Sequence, residues 1–164
     1  MATVSIARSI ATAAHLDQVD KAGAPYVGHS VRVAAGAVSL AEPVGLDLAT
    51  VEAVGLLHDV VEDSHWTLDD LAAAGLAPAV VEPVGLLTHA KHEPRAAYLA
   101  AIASDPVALV VKYADTLDNT DPDRVAALPA DAAARLAAKY AGQLSTLHDA
   151  YVRLGATGPE RTER

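Results

Sequence analysis

Four ionisable residues, His58, Asp59, Glu62 and Asp63, lie within one apolar stretch that is predicted to be helical from about Val51. Burying a charge without a partner is costly, so a helix that carries these side chains needs something to satisfy them. His58 and Glu62 are four residues apart, as are Asp59 and Asp63, and each pair therefore shares a helix face. A divalent metal accepts imidazole and carboxylate ligands, so the pattern favours a metal site over a helix end with solvated acids.

Two further candidate ligands precede and follow this segment. His29 stands just inside a predicted helix that follows Pro25, and Asp115 ends another apolar run. Lys112 lies one turn before Asp115, and Asn119 lies one turn after it. The ordered set supplies two imidazoles and two carboxylates, which leaves coordination positions free for water and for a substrate oxygen.

These motifs resemble those of the HD-domain metal-dependent phosphohydrolases, and within them the small hydrolases related to RelA/SpoT-type alarmone enzymes. The resemblance rests on residues 14–29, 58–64 and 112–119, and with the spacers it covers residues 5 to 153. It implies metal ligands at His29, His58, Asp59 and Asp115. It also implies a catalytic acidic pair at Glu62 and Asp63, and a substrate contact at Asn119.

The sequence departs from the alarmone-hydrolase pattern at two places. That family usually has an Arg-Lys pair that sandwiches guanine, whereas Gln18 and Val19 stand here, with Lys21 close by. The family often has Arg and His in the segment after the second aspartate, where this chain has Thr116 and Asp118. The departures predict weak guanine specificity and leave the metal ligands unchanged. The residues that we predict to bind substrate are Gln18, Lys21, Lys112, Asn119 and Tyr140.

The composition limits the chemistry of the site. The chain has no cysteine, so any metal must be held by nitrogen and oxygen donors. We expect one divalent metal, with Mn²⁺ as the first choice and Fe²⁺, Zn²⁺ or Mg²⁺ as alternatives. The net charge of −9 argues against a nucleic-acid partner, and it requires local cations if the substrate is a phosphate. We expect Lys21 and Lys112 to supply them and most other cations to be solvated.

Nearly every segment of the 164 residues reads as helix, and we predict a single all-α HD-domain helical bundle of about eight helices. The domain is predicted to span residues 1–155, followed by a flexible tail over 156–164. Predicted helices cover residues 4–19, 26–40 and 131–154, and predicted N-caps include Asp47, Thr67, Asp105 and Asp121. No targeting signal or membrane-spanning run is visible, so we expect a cytoplasmic protein.

The function that these features favour is metal-dependent hydrolysis of a phosphate or pyrophosphate ester in a nucleotide. The resemblance narrows it to a guanosine 3′,5′-bis(diphosphate) 3′-pyrophosphohydrolase. Two alternatives stay open: an HD phosphohydrolase acting on another nucleotide, such as an adenine alarmone or an NADPH-like molecule, and a non-catalytic nucleotide-binding or antitoxin-like HD module. We expect a small-molecule nucleotide as partner, neither nucleic acid nor membrane, and leave a homo-oligomer open.

Overall fold

The computed structural model describes residues 2–20 and 23–156. Within these residues the chain forms α-helices and no β-strand, apart from an isolated bridge between Val19 and Pro25, which confirms the predicted all-α class. The helices are α1 (Ala2–Ala14), α2 (Val27–Ala41), α3 (Leu48–Leu57), α4 (Val60–Asp63), α5 (Leu68–Ala73), α6 (Pro78–Leu87), α7 (Arg95–Ala103), α8 (Pro106–Asn119), α9 (Pro122–Ala126), α10 (Ala130–Tyr140) and α11 (Gln143–Ala156). A 3-10 turn over Glu42–Val44 follows α2.

Side-chain caps begin several of these helices where the sequence predicts them. The Asp47, Asp105 and Asp121 carboxylates each accept a hydrogen bond from the backbone N–H three residues on, at 2.7–3.0 Å. Thr67 and Asp70 form a reciprocal capping box at the start of α5. These caps satisfy backbone donors that a helix start leaves without partners, and they depend on contacts within one turn of the chain.

Three helix boundaries differ from the prediction. The first helix ends at Ala14 rather than at residue 19, and the chain then turns through Gly23, which has φ of +83°. The predicted helix over 131–154 is divided into α10 and α11, because Gly142 adopts φ of +75° between them. Glycine takes this left-handed backbone conformation readily, and it therefore ends α10.

The third difference lies at the centre of the main motif. The helix that carries it is interrupted at His58 and Asp59, between α3 and α4. The Asp63 N–H still donates to the Asp59 carbonyl at 2.9 Å, so the predicted four-residue relationship between these two residues survives the interruption.

Helix α3 is the centre of the core, and it packs against α1, α2, α6 and α8. Its residues Val51, Val54, Leu56 and Leu57 are fully buried, which explains why the segment is apolar on all sides. Helices α2 and α3 approach very closely at Gly55, where an added Cβ would lie 2.6 Å from the Cα of Ala34. This packing brings the start of α2 beside the end of α3. In the described residues, no helix has the length and apolar character needed to cross a bilayer.

Candidate metal centre and active-site cavity

Three helices bring two histidines and an aspartate to one point. His29 comes from the first turn of α2, His58 follows α3, and Asp115 lies in α8. The Nε2 atom of His29 lies 3.3 Å from Asp115 Oδ1, and the Nε2 atom of His58 lies 3.8 Å from the same oxygen. All three candidate ligand atoms lie within 4.8 Å of one another, and the three residues are buried. This arrangement could hold a metal ion.

Asp59 lies at the edge of the same cluster. Its Oδ2 atom is 2.9 Å from Nε2 of His58 and 3.8 Å from Nε2 of His29. The same oxygen accepts a hydrogen bond from the Tyr26 hydroxyl, which fixes the carboxylate beside the two imidazoles. The structure therefore brings all four predicted metal ligands together.

The hydrogen bonds of the two imidazoles indicate which ring nitrogen is free. Nδ1 of His58 lies 2.8 Å from the carbonyl oxygen of Gly55, and Nδ1 of His29 lies 2.8 Å from Oδ2 of Asp118. Both partners accept, so each Nδ1 carries the proton and each neutral ring presents a lone pair at Nε2. Nε2 of His58 is buried and makes no hydrogen bond in the described structure. A divalent metal fits this donor set, because it would use the free nitrogens and the adjacent carboxylates.

The carboxylates of the cluster favour binding of a cation, either a proton or a metal ion. Burial lowers the pKa of His29, but its bonds to Asp115 and Asp118 outweigh burial and raise that pKa to about 9. Burial also opposes ionisation of Asp115 and Asp59. Lys112 and the two imidazoles nevertheless keep the pKa of Asp115 well below its usual range, and His58, with the Tyr26 hydroxyl, does the same for Asp59. Without a metal the cluster therefore holds a proton at neutral pH that metal binding would release.

Two predicted substrate-binding residues hold Asp115 in the structure. The Lys112 ammonium lies 2.9 Å from Asp115 Oδ2, and the Asn119 side chain donates to Asp115 Oδ1 at 2.5 Å. Burial opposes the charge of Lys112, but Asp115 outweighs it and raises the pKa of that ammonium. Lys112 and Asn119 also line the cavity that lies over the cluster. Their contact with substrate therefore stays a prediction, in addition to their contacts with Asp115.

A cavity of about 760 Å³ opens over the cluster. The predicted catalytic pair lines it: a Glu62 carboxylate oxygen accepts from the backbone N–H of His89 at 3.1 Å, and Asp63 is the next residue along α4. Partial burial, followed by the charges of Asp59 and Glu62, raises the pKa of Asp63. A carboxyl with a raised pKa beside this cluster of candidate metal ligands is suited to accepting and returning protons.

The other predicted substrate-binding residues have different positions. Tyr140 lines the cavity, and burial raises the pKa of its hydroxyl. Gln18 is not among the described residues that line it. Its amide instead accepts from His15 Nδ1 at 2.9 Å and donates to the Asp63 carbonyl at 2.8 Å, so it ties the chain after α1 to α4. Lys21 lies outside the described residues.

Asp118 is a residue of the site to which the sequence assigns no role. Besides holding His29, its carboxylate accepts from Nε of Arg32 at 2.7 Å and lies 3.5 Å from Nε of Arg124. Burial raises the pKa of Asp118, but its bonds to His29 and Arg32 prevail and lower that pKa to about 2. A sequence signal exists, because Asp118 follows Asp115 by three residues and so lies on the same side of α8.

The cavity also contains cations that we expected to be solvated. Arg95 of α7, Arg124 of α9 and Lys139 of α10 all line it. That expectation was wrong for Arg95 and Arg124, which are half-buried, because α7 and α9 pack against α8. Lys139 lines the cavity and is exposed to solvent, as expected. The positions of these three residues depend on contacts between distant segments and have no local sequence signal.

Comparison with known proteins gives the family of the chain. The HD domain family model matches residues 26–120, which is more than half of the sequence. The chain is 33% identical over 127 residues to a probable GTP pyrophosphokinase of Mycobacterium leprae, covering 73% of this chain and 16% of that protein. It is 35% identical over 116 residues to a probable guanosine-3′,5′-bis(diphosphate) 3′-pyrophosphohydrolase of Synechocystis, covering 64% of this chain and 14% of that protein.

The chain therefore spans about a sixth or less of the length of these curated relatives. A solved structure described as a metazoan ortholog of SpoT that hydrolyzes ppGpp matches with a TM-score of 0.63 and 22% identity, covering 94% of each chain. This match shows a shared fold over nearly the whole length of both chains. The family model and the motif order agree, and they confirm the resemblance drawn from the residues: the chain belongs to the HD domain family.

Proposed function

We propose that this chain is a metal-dependent phosphohydrolase that removes the 3′-pyrophosphate of guanosine 3′,5′-bis(diphosphate). The observation that carries the proposal is the convergence of two imidazole Nε2 atoms and two carboxylates beneath a cavity that also holds an acidic pair. The activities described for the Synechocystis relative and for the metazoan SpoT ortholog support this choice of substrate.

In this proposal the metal ligands are His29, His58, Asp59 and Asp115, and Mn²⁺ is the expected ion. When bound, a divalent metal lowers the pKa of a coordinated water and polarises a phosphoryl oxygen. Tyr26 orients Asp59 through its hydroxyl. Lys112 and Asn119 orient Asp115 and keep it ionised.

The acidic pair moves the proton. Glu62 is held by the His89 N–H at one of its oxygens, which leaves the other free to orient the attacking water. Glu62 takes up the proton that the water loses, with Asp63 beside it, and the pair returns that proton to the leaving oxygen. Both residues line the cavity, so they can reach a substrate that sits over the metal ligands.

Metal content, and the release of pyrophosphate or phosphate from a panel of nucleotides, test the proposal. H58A should lose the metal, because His58 supplies a buried imidazole nitrogen beside the Asp59 and Asp115 carboxylates. E62Q should keep the metal and the fold and lose about 10²–10⁴-fold in turnover, which is the usual contribution of a general base. H65A is the matched control, since His65 is exposed and lies outside the cavity lining. Full metal occupancy in H58A, or near-normal turnover in E62Q, would contradict the assignment.

A second candidate substrate is an adenine-containing or NADPH-like nucleotide. The observation that favours it is the nature of the cavity wall, where Val19, Val125, Leu128 and Leu136 present apolar side chains. Aliphatic side chains pack against the face of any base and do not read the groups that distinguish guanine from adenine. The nucleotide panel separates the two candidates, and release of neither pyrophosphate nor phosphate from any of its members would favour the non-catalytic alternative.

A further inference from the structure

We propose that Arg95 and Lys139 form an anion-binding site within the cavity that holds a phosphate group of the substrate. The inference rests on the proposed function and adds to it the residues that bind the charge of the nucleotide. Arg95 begins α7 and Lys139 lies near the end of α10, so both are outside the motifs that carry the metal ligands.

The cavity's cations divide into two groups by their partners. Lys112 is paired with Asp115 at 2.9 Å, and Arg124 lies 3.3 Å from Asp20 and 3.5 Å from Asp118. Arg95 and Lys139 form no ion pair with a carboxylate in the described part of the chain. Their charges are therefore available to a ligand, whereas those of Lys112 and Arg124 are already balanced by carboxylates.

Arg95 is held by a neutral group. Its guanidinium donates to the amide oxygen of Gln143, and the Gln143 amide nitrogen donates to Thr116 Oγ1 at 2.6 Å. Thr116 Oγ1 in turn donates to the Lys112 carbonyl at 2.8 Å, so the hydroxyl can only accept from Gln143. Gln143 is 3% exposed and Thr116 is fully buried, which fixes the direction of the chain of hydrogen bonds. Arg95 is thus oriented without losing its charge, and its remaining N–H groups are free for a phosphate.

The charge of the whole molecule makes such a site necessary. A chain with net charge −9, whose cavity also holds the Glu62 and Asp63 carboxylates, repels a polyanionic nucleotide unless positive potential is focused locally. Lys139 adds a second cation, and its ammonium lies 5.2 Å from the centre of the Tyr140 ring. A planar guanidinium and a point-charge ammonium that line one cavity are a combination suited to phosphate oxygens.

Calorimetric titration of guanosine 3′,5′-bis(diphosphate) into the Mn²⁺-loaded E62Q protein tests the site, because that variant should bind the nucleotide and hydrolyse it about 10²–10⁴-fold more slowly. R95Q and K139Q, each added to E62Q, should raise the Kd by about tenfold or more, the usual loss for a hydrogen bond to a charged group. R135Q is the charge-matched control, because Arg135 pairs with exposed Asp131 and lies outside the cavity lining. Equal affinities in R95Q and in the control would overturn the proposal.

Two variants of Gln143 separate the charge of Arg95 from its position. Q143E keeps an acceptor for the guanidinium and neutralises it, so Q143E should weaken binding as much as R95Q does. Q143L removes the acceptor and leaves the charge, so it should weaken binding less. In the otherwise wild-type enzyme, Q143L should raise KM with little change in kcat. If Q143E binds the nucleotide as tightly as the parent protein, the charge of Arg95 has no part in binding.

Failure of the site and failure of the proposed function give different results. If wild type hydrolyses the nucleotide and R95Q leaves the Kd unchanged, the anion site alone is wrong. If wild type neither binds nor hydrolyses this nucleotide, the proposed substrate is wrong, and the same variants are titrated with inorganic phosphate. A phosphate affinity that R95Q and K139Q leave unchanged would then overturn the anion site as well.

Discussion

Removing the metal should make the stability of this protein fall as pH rises above neutral. In the metal-free cluster, His29 has a pKa of about 9, raised from 6.5 in the unfolded chain by its bonds to Asp115 and Asp118, against the effect of burial. A group whose pKa is raised on folding stabilises the folded state fully below its unfolded pKa. That stability is lost as pH rises through the folded pKa. The window is therefore pH 6.5 to about 9.

The magnitude follows from the shift. A change from 6.5 to about 9 is roughly 2.5 pKa units, and each unit corresponds to about 1.36 kcal/mol, so His29 contributes about 3 kcal/mol at most. Since 1 kcal/mol moves the Tm of a domain of this size by about 2–4 °C, the metal-free protein should lose about 6–12 °C across the window. The pKa of His58 is also raised, and it contributes with the same sign.

Thermal unfolding of chelator-treated protein at several pH values between 6 and 9.5 measures the effect. Metal-loaded protein should show the opposite slope, because metal binding requires neutral imidazoles and its stabilisation grows as protons leave. In H29Q the Tm of the metal-free protein should fall less steeply with pH, because the contribution of His29 is gone. In D118N the fall in Tm should be centred at lower pH, because the variant lacks a charge that raises the His29 pKa. A metal-free Tm that stays constant from pH 6.5 to 9 would refute the reasoning.

Three further predictions concern other residues. D118A should lower metal affinity by about 10–100-fold, as expected for a carboxylate that orients a ligand histidine. D118N should lower it less, because the amide oxygen still accepts from His29 Nδ1. Metal-competition titrations measure both affinities, and unchanged affinity in D118A would contradict the positioning of His29 by Asp118. The kcat/KM values for guanine and adenine forms of the same 3′-pyrophosphorylated nucleotide should differ by about tenfold, since Val19 cannot make the cation–π contact with the base that contributes roughly 0.5–2 kcal/mol. A thousandfold preference for guanine would show that other residues read the base. G55A should lower the free energy of unfolding, measured in urea, by about 1–3 kcal/mol, because its Cβ would lie 2.6 Å from the Cα of Ala34. The control G85A should lower it less, because its Cβ would meet only side-chain atoms of Leu68, at 3.2 Å and beyond. Equal losses in the two variants would contradict the close approach of α2 and α3.

The sequence by itself predicts the features that depend on neighbours within one helical turn. The Asp47, Thr67, Asp105 and Asp121 caps each act on a backbone N–H three residues away, so residue type and position are enough to locate them. The all-α class follows from apolar spacing in the same way. The four candidate ligands could be predicted because the order of the motifs, and the resemblance that it carries, reports on a fold that the chain shares with its family.

Only the tertiary structure decides which partners those residues meet. His29 and Asp118 are 89 residues apart, Arg32 and Asp118 are 86 apart, and Arg95 and Gln143 are 48 apart. No local pattern joins such pairs, because they meet only when α2, α7, α8 and α11 pack together. The break at Gly142 is of the same kind, since the apolar spacing of residues 131–154 continues through a glycine that a helix can also tolerate. Thus the residue types determine the chemistry of the site, and packing determines which charged side chains form ion pairs with one another and which remain available to a ligand.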